Sequence, residues 1–399
     1  MNATTGQGDR LGVWCGWVLC AAAILTPLLA WLGPLAFAPL VSLVGLLCLP
    51  AVRIGPRDAP LALLLILAVG WAALSILWSP VRPRELEDMT GLKLALQAPL
   101  YWSAWCAARR ADPIVAGRAA RWFAWSLAVL GAVMLVEAVT GGAIYLSLRQ
   151  AIGDPIRPDL GRKNLAQGSF ALALLWPVAA AAGARAGASP WLALPMAAGS
   201  ALLAQLFLSD APVLAVGVVA CIAVVVWVWP NSAPKALGVG AAGLVLLMPL
   251  LALALAASGE RLPESWAQRV GYWSYAIGRI AERPWTGWGL DASRSFSPHI
   301  QLHPHNGSLQ VWLELGLPGA ALLALVWVQT FRRLARDDRS LLAPAAAGSA
   351  AVYLFFGSVS FGVWQEWWLA LGALAATIVA LAEPRMAGSR PIDAPVLSE

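Results

Sequence analysis

Apolar runs of about 20 residues recur along the chain, parted by short stretches where arginine, proline and glycine collect. A run of that length, wound as a helix, crosses a hydrocarbon core of about 30 Å. The runs fall at about 11–32, 35–52, 60–78, 91–108, 122–141, 165–183, 190–208, 211–229, 237–257, 306–331, 341–360 and 365–382. Lipid offers no partner to an open backbone N–H or C=O, so each run predicts an α-helix. The fold expected is all-α, a polytopic bundle of about 12 spans. The first run is too long for a signal-peptide core and lacks a small-residue cleavage site, so it is expected to stay as a span.

Composition narrows this further. The 399 residues are 60% hydrophobic and 12% charged, whereas roughly a quarter of an ordinary soluble domain is charged. A soluble globular chain and a disordered one are both excluded. Of 27 cationic residues only Lys93, Lys163 and Lys235 are lysine, and arginine is the better bidentate partner for phosphate and carboxylate. The five cysteines lie inside apolar runs, where thiols act as small hydrophobes; neither a disulfide nor a cysteine metal site is expected. The chain divides into N-terminal transmembrane helices (1–141), a central region (142–331) with a large loop at 258–305, C-terminal transmembrane helices (332–383) and a disordered tail (384–399).

With the N-terminus in the cytoplasm, the short inward loops carry Arg53 and Arg57; Arg109, Arg110, Arg118 and Arg121; Arg185; Lys235; and Arg332, Arg333, Arg336 and Arg339. That satisfies the positive-inside rule and puts both termini in the cytoplasm. Two outward segments are cationic as well: 142–164, with Arg149, Arg157, Arg162 and Lys163, and 258–305, with Arg261, Arg269, Arg279, Arg283 and Arg294. Anchoring to lipid headgroups is one explanation; a basic cavity for an anionic substrate is the sharper one, favoured by the concentration in two loops. Trp31, Trp71, Trp78, Trp102, Trp191, Trp229, Trp364, Trp367 and Trp368 lie near span ends, the positions of an interfacial aromatic belt.

In the large loop, residues 260–283 place Trp266, Val270, Trp273, Ile277 and Ile280 on one apolar face and predict an amphipathic helix ended by Pro284. Arg269, four residues before Trp273, is positioned to stack on it. PWTGWGLD follows as a glycine-punctuated turn, and then HPHNGSLQVWLELGLPGA, residues 303–320. Asn306 or Ser308 would cap the next helix. His305 would then stand at the positive end of its dipole, which favours the neutral imidazole that a general base needs. His299, His303 and His305 could instead hold a metal, but their spacing fits no zinc pattern. Glu314, Glu137 and Asp210 lie in or at the ends of spans, and each is either half of a structural ion pair or part of a site.

These residues carry a resemblance. HPHNGSLQVWLELGLPG resembles the O-antigen ligase and O-antigen polymerase superfamily of bacterial envelope glycosyltransferases, whose His-Asn, nine residues, Gly, two residues, Gly pattern is met by His305, Asn306, Gly316 and Gly319. Arg269 with Trp273, then PWTGWGL, looks like the family's Arg-x-x-x-Trp helix and Pro-x-x-Gly-x-Gly turn. RPDLGRKNLAQ resembles the segment where an Arg and an Asn open a span, here Arg157 or Arg162 and Asn164. The likeness covers about 150–320. One departure stands out: where the family often has Ser-Arg, this chain has Ser209 followed by Asp210.

The resemblance implies a GT-C-like bundle in the bacterial inner membrane with its active site facing the periplasm. It implies an inverting, metal-independent glycosyltransferase without cofactor. The donor would be a glycan on undecaprenyl pyrophosphate and the acceptor lipid A–core or another glycan; membrane lipid would be a partner and nucleic acid would not. His305 would be the base and Arg269, with Arg162 or Arg157, would hold the pyrophosphate. Lys163, Asn164, Trp273, His303 and Asn306 would complete the binding site. A polymerase with the same donor is the nearest rival. A transporter is the more distant one, and would place its charges at the membrane midplane rather than in these loops.

Overall fold

The computed structural model describes residues 5–83, 85–258, 263–336 and 340–383. Among them the chain is helical throughout, without a strand. In order the helices are α1 (Thr5–Leu32), α2 (Phe37–Leu47), α3 (Ala59–Ser75), α4 (Thr90–Arg110), α5 (Pro113–Thr140), α6 (Ala143–Ala151) and α7 (Pro158–Arg185). They continue with α8 (Ala193–Leu206), α9 (Asp210–Val228), α10 (Ser232–Ala257), α11 (Glu264–Glu282), α12 (Gly307–Arg332), α13 (Leu342–Val359) and α14 (Glu366–Ala382). The expected tail at 384–399, Arg261 and Arg339 lie outside the described residues.

Each of the twelve apolar runs coincides with a helix, but eight helices are long and apolar enough to cross a membrane: α1, α3, α5, α7, α9, α10, α12 and α13. The remaining four runs fall short for physical reasons. Pro34–Leu47, Pro190–Leu206 and Glu366–Ala382 are the shorter apolar helices, and at 1.5 Å per residue they reach about 20–26 Å, less than the hydrocarbon core. Helix α4 is 21 residues long but carries Lys93, Gln97, Arg109 and Arg110.

Helix α7 forms the centre, with 83% of its most apolar window buried. Its Gly168 lets α1 approach so closely that a Cβ there would stand 2.3 Å from the Ala30 carbonyl. Buried carboxylates anchor the short segments between helices. Glu137, fully buried in α5, accepts Tyr145 N at 2.8 Å, Ile144 N at 3.2 Å and Trp31 Nε1 at 3.0 Å. It therefore satisfies the open N–H groups at the start of α6, where a negative charge is favoured. Its partners are N–H donors, so the ion pair considered for it is not what the structure shows. Asp210 is exposed in the first turn of α9.

The tryptophans divide. Trp191 and Trp229 are exposed, as a belt requires. Trp367 and Trp368 are buried in the core. Trp31, Trp71 and Trp364 spend their indole N–H on Glu137, the Leu315 carbonyl and Glu314. These five hold helices together, a correction to the belt assignment that composition near span ends could not foresee.

Candidate active site

The segment His303-Pro304-His305-Asn306 turns the chain into α12, and every part of it is held. Asn306 is the cap: its Oδ1 accepts Leu309 N at 3.0 Å, which selects it over Ser308. His305 sits in the left-handed region, φ 53°, which a residue with a Cβ enters only when its surroundings hold it there. The His305 N–H donates to His303 Nδ1 at 3.1 Å. Trp273 Nε1 donates to the Pro304 carbonyl at 2.8 Å. The His305 ring stacks on Tyr272, centroids 6.1 Å apart and planes 18° apart, and Gln268 Nε2 fixes the Tyr272 hydroxyl at 2.9 Å.

The His305 ring has one nitrogen spoken for. Nδ1 lies 3.0 Å from the Ser360 carbonyl oxygen. A carbonyl only accepts, so Nδ1 carries the proton and Nε2 keeps its lone pair. Burial pushes His305 below its ordinary value of 6.5; the Ser360 bond pulls it back and Arg269 pushes it down again, with a net lowering. The neutral form expected from the helix dipole is thus favoured chiefly by burial. His303 is pushed down to about 4 by burial, then by His305 and Arg294.

Arg269 is half-buried on α11, and burial lowers its pKa. Its guanidinium lies over Trp266 at 5.6 Å, not over Trp273. Trp273 is buried edge-on against Trp266 at 6.3 Å, which leaves Trp266, about two turns earlier, as the more open ring. The apolar face of α11 otherwise follows the sequence pattern: Trp273, Ala276 and Ile280 are buried with Met248 and Ala252 of α10 and Leu309 and Leu313 of α12. Of the third histidine, His299, the ring is exposed and stacks on Tyr275 at 4.5 Å. Among the described residues no group of three or more His, Cys, Asp or Glu converges as a metal-ligand set.

The glycine turn after α11 closes a break in α12. Gly316 has φ 63° and ψ −162°, so the helix is interrupted there, two residues before Pro318. An interruption at membrane depth leaves backbone groups that cost several kcal/mol each if unmet. They are met by the turn: Trp288 N donates to the Leu313 carbonyl at 2.9 Å and Gly289 N to the Glu314 carbonyl at 2.7 Å. Leu317 N in return donates to the Pro284 carbonyl at 2.8 Å. The two backbones touch, since a Cβ on Gly287 would lie 2.4 Å from the Glu314 carbonyl oxygen and one on Gly316 2.5 Å from that of Trp285. The motif glycines are therefore the place where loop and helix interlock, and the run at 306–331 is two helical pieces rather than one.

Glu314, fully buried beside this break, accepts Asp291 N at 3.0 Å, Ser293 N at 3.4 Å, Gln310 Nε2 at 3.1 Å and Trp364 Nε1 at 2.5 Å. As with Glu137, N–H donors take the place of the expected ion pair. It fastens the loop after Gly289 and the α13–α14 connection to α12.

The cations at the start of α7 make a second cluster. Arg157 is exposed and held by Asp159, Nη2 to Oδ2 at 2.6 Å and Nε to Oδ1 at 3.1 Å. Arg162 is exposed and donates to the Gly141 carbonyl at 3.2 Å; Asn164 donates to the Tyr145 hydroxyl at 3.3 Å. Lys163 is exposed beside them. Farther along α7, Phe170 packs on Phe361 at 5.0 Å, the neighbour of Ser360, so this cluster and His305 stand at the same end of the bundle. Their hydrogen bonds run to the α5–α6 corner and to each other, not to the histidine turn. Gly142 sits between Arg162 and Phe207, with a Cβ there 3.9 Å from Arg162 Cγ and 4.0 Å from the Phe207 ring. Arg162 and Phe207, which is two residues before Ser209, thus flank Gly142.

The sequence pattern gave no sign of Ser360, Gly362 or Gln365, which lie some 55 to 60 residues after the histidines, or of Gln310 one turn into α12. Only a bend of glycine between two apolar runs marks the place.

The half-buried His305 ring and Arg269 stand together at the mouth of the broken helix α12. Residues 189–324 match the O-antigen ligase family model. The chain is 26% identical over 122 residues to a provisionally named polysaccharide ligase of Rickettsia conorii, 27% of this chain and 30% of that one. It is 28% identical over 122 residues to its counterpart in Rickettsia prowazekii, again 27% and 30%, and 29% identical over 121 residues to one in Rickettsia bellii, 27% and 29%. The chain thus spans about three tenths of the length of the relatives it matches.

Proposed function

We propose that this protein is an integral-membrane glycosyltransferase that moves a glycan from undecaprenyl pyrophosphate to an acceptor sugar, lipid A–core, at the periplasmic face of the bacterial inner membrane. The observation that carries the reading is His305: one ring nitrogen is spent on the Ser360 carbonyl, and the other is unprotonated. In this reading the acceptor hydroxyl gives its proton to His305 Nε2 while its oxygen bonds to the anomeric carbon. The carbon–oxygen bond to pyrophosphate breaks and the pyrophosphate leaves with the electron pair, inverting the centre. Arg269 meets that growing charge. In this reading Arg162, with Lys163 and Asn164, takes the part of the missing family arginine, and Asn306 Nδ2, buried without a partner among the described residues, is a donor for a substrate oxygen. Arginine alone does the work of charge neutralisation, so transfer needs no metal.

The full set of twelve apolar helices, including the four shorter or more polar ones, forms the membrane domain in this reading, with both termini cytoplasmic. The test is transfer from purified lipid-linked glycan to lipid A–core in proteoliposomes. Wild-type protein transfers with or without chelator; His305→Ala inserts equally well and does not. Full activity in His305→Ala would refute the base. Chain growth on the lipid-linked glycan without transfer to lipid A–core would make the protein a polymerase instead.

A further inference from the structure

The connection between α13 and α14, residues 360–365, lies beyond the segment matched by the family model, yet it is what the histidine turn rests on. Ser360 supplies the carbonyl for His305 Nδ1. Gly362 lies flat against His303: a Cβ there would come within 2.9 Å of the ring atoms Cγ and Cδ2 and 3.0 Å of Gln310 Oε1. Gln310 Oε1 accepts Val363 N at 2.9 Å. Trp364 and Gln310 both donate to Glu314, and Glu366 is held by Lys93 at 2.7 Å and Gln97 at 2.6 Å. Gln365 Nε2 stands 3.2 Å from His303 Nε2, while Gln365 Oε1 is buried without a hydrogen bond among the described residues.

The proton on His303 follows from these contacts. Its Nδ1 accepts the backbone N–H of His305, so Nδ1 carries no hydrogen. A neutral imidazole has one, which must be on Nε2 and point at the Gln365 amide; two N–H groups cannot pair, so the amide is turned end for end and presents Oε1 to it. Two neighbouring histidines, with rings 4.4 Å apart, therefore hold opposite tautomers: Nδ1–H on His305, Nε2–H on His303. The chain runs from Gln365 to His303 to the His305 backbone, whose left-handed conformation aims the ring at Ser360.

We propose that Gln365 is a positioning residue for the transfer reaction: by accepting the His303 Nε2–H it keeps His303 Nδ1 free to take the His305 N–H, and so holds His305 in the single orientation and tautomer that leaves Nε2 as the base. The proposal rests on the reading of His305 as base, but its main readout does not need the reaction. The charged and titratable groups facing the pair are Arg294 toward His303 and Arg269 and Tyr272 toward His305. Glu314 and the Lys93–Glu366 pair lie behind Gln310 and Gln365.

The chain has three histidines, so protein labelled with 15N only at histidine, in detergent micelles, gives three resolvable rings, assigned by His299→Gln and His303→Gln. Wild-type protein is expected to show one ring as the Nδ1–H tautomer, His305, and one as the Nε2–H tautomer, His303. His303 as Nδ1–H would overturn the proposal outright, whatever any variant does. In Gln365→Leu, of similar size but without an acceptor, His305 loses its single tautomer, and the transfer rate falls about tenfold with KM for the donor within twofold. In Gln365→Glu the carboxylate stabilises a charged His303, whose Nδ1–H can no longer accept the His305 N–H; the acid limb of the rate profile moves to higher pH. Gly362→Ala, which pushes on the His303 ring, should disturb the His305 tautomer as Gln365→Leu does. Wild-type tautomers with a wild-type rate and pH profile in the Gln365 variants would refute the proposal while leaving His305→Ala to judge the base separately. A loss of rate matched only by loss of folded protein, with tautomers unchanged, would refute it too.

Discussion

The two ends of the bundle are both rich in arginine, and they use it differently. At the end opposite His305, the cations tie distant parts of the chain together. Asp58, buried at the start of α3, accepts Arg109 from the end of α4 at 2.6 Å and also Arg333 from just past α12. Arg336 reaches Glu383 at 2.7 Å, joining the ends of α12 and α14. At the His305 end four ion pairs are local, Arg149 with Asp154, Arg157 with Asp159, Arg279 with Glu282 and Arg294 with Asp291, and Lys93 of α4 with Glu366 of α14 spans elements. Apart from that pair, what crosses between elements there is indole, amide and backbone N–H groups on Glu314, His303 and Pro304. One end spends charge on architecture. The other builds architecture mostly from neutral N–H donors, around the half-buried Arg269 and the His305 ring.

The largest expected effect tests the chemical end directly. His305→Ala should lower transfer by at least about 10³-fold, near the upper range for a positioned general base, with unchanged insertion and thermal stability. Arg269→Ala should cost about 10²-fold, and Arg269→Lys should recover only part of it, because an ammonium lacks the planar fork. A stability loss of similar size in either variant would mean that this end, too, uses charge as structure.

The opposite end should give the reverse result. Burial pushes the Asp58 carboxyl up, but the hydrogen bonds from Arg333 and Arg109 outweigh it and hold the group below its ordinary range. Its stabilisation is therefore full above that range and is lost as pH falls through the lowered value. Asp58→Asn should destabilise the bundle by about 2 kcal/mol, partly exposed arginines screening the loss, and leave transfer per folded molecule within twofold. Thermal unfolding in micelles beside the transfer assay separates these outcomes.

Much of the fold was legible because lipid makes one demand on every span, so an apolar run marked each of the eight long apolar helices, although α5 begins nine residues and α7 seven residues before the run that marked it. Span count was not, because hydropathy does not measure length against thickness: Pro34–Leu47 reads as apolar as a true span. The site was legible where chemistry and backbone constraint coincide locally, as at His305-Asn306 and Gly316. It was hidden where the partner is distant. Nothing near Glu314 announces that Trp364 will donate to it across 50 residues, so a buried carboxylate suggested a cation. The same blindness put Arg269 on Trp273, since spacing along a helix offers both neighbours and only packing decides which ring stays open.

A subtler difference lies in pH. Asp58 loses its contribution as pH falls, whereas lowering the pKa of His305 protects the base: a smaller fraction is protonated at any given pH than for a free imidazole. Transfer should stay level from neutral pH down past 6.5 and decline only below it. Arg269→Gln removes one of the two influences that lower His305, so the remaining activity should show its acid limb at higher pH. A limb that did not move would separate Arg269 from the base electrostatically.

The smallest effect concerns Arg157, one of two arginines that sequence offered as a pyrophosphate ligand. Its guanidinium is exposed, and both oxygens of Asp159 already occupy it; an exposed pair of this kind contributes little to stability. Arg162, by contrast, flanks Gly142 across from the Phe207 ring, and makes one hydrogen bond to a backbone carbonyl with no carboxylate on it in that contact. Arg157→Ala should therefore change transfer less than twofold, and Arg162→Ala should raise KM for the lipid-linked donor several-fold. If the two exchanged places, the local ion pairs at this end would have to open for substrate, and the division between its paired and working arginines would lie elsewhere than the resting contacts put it.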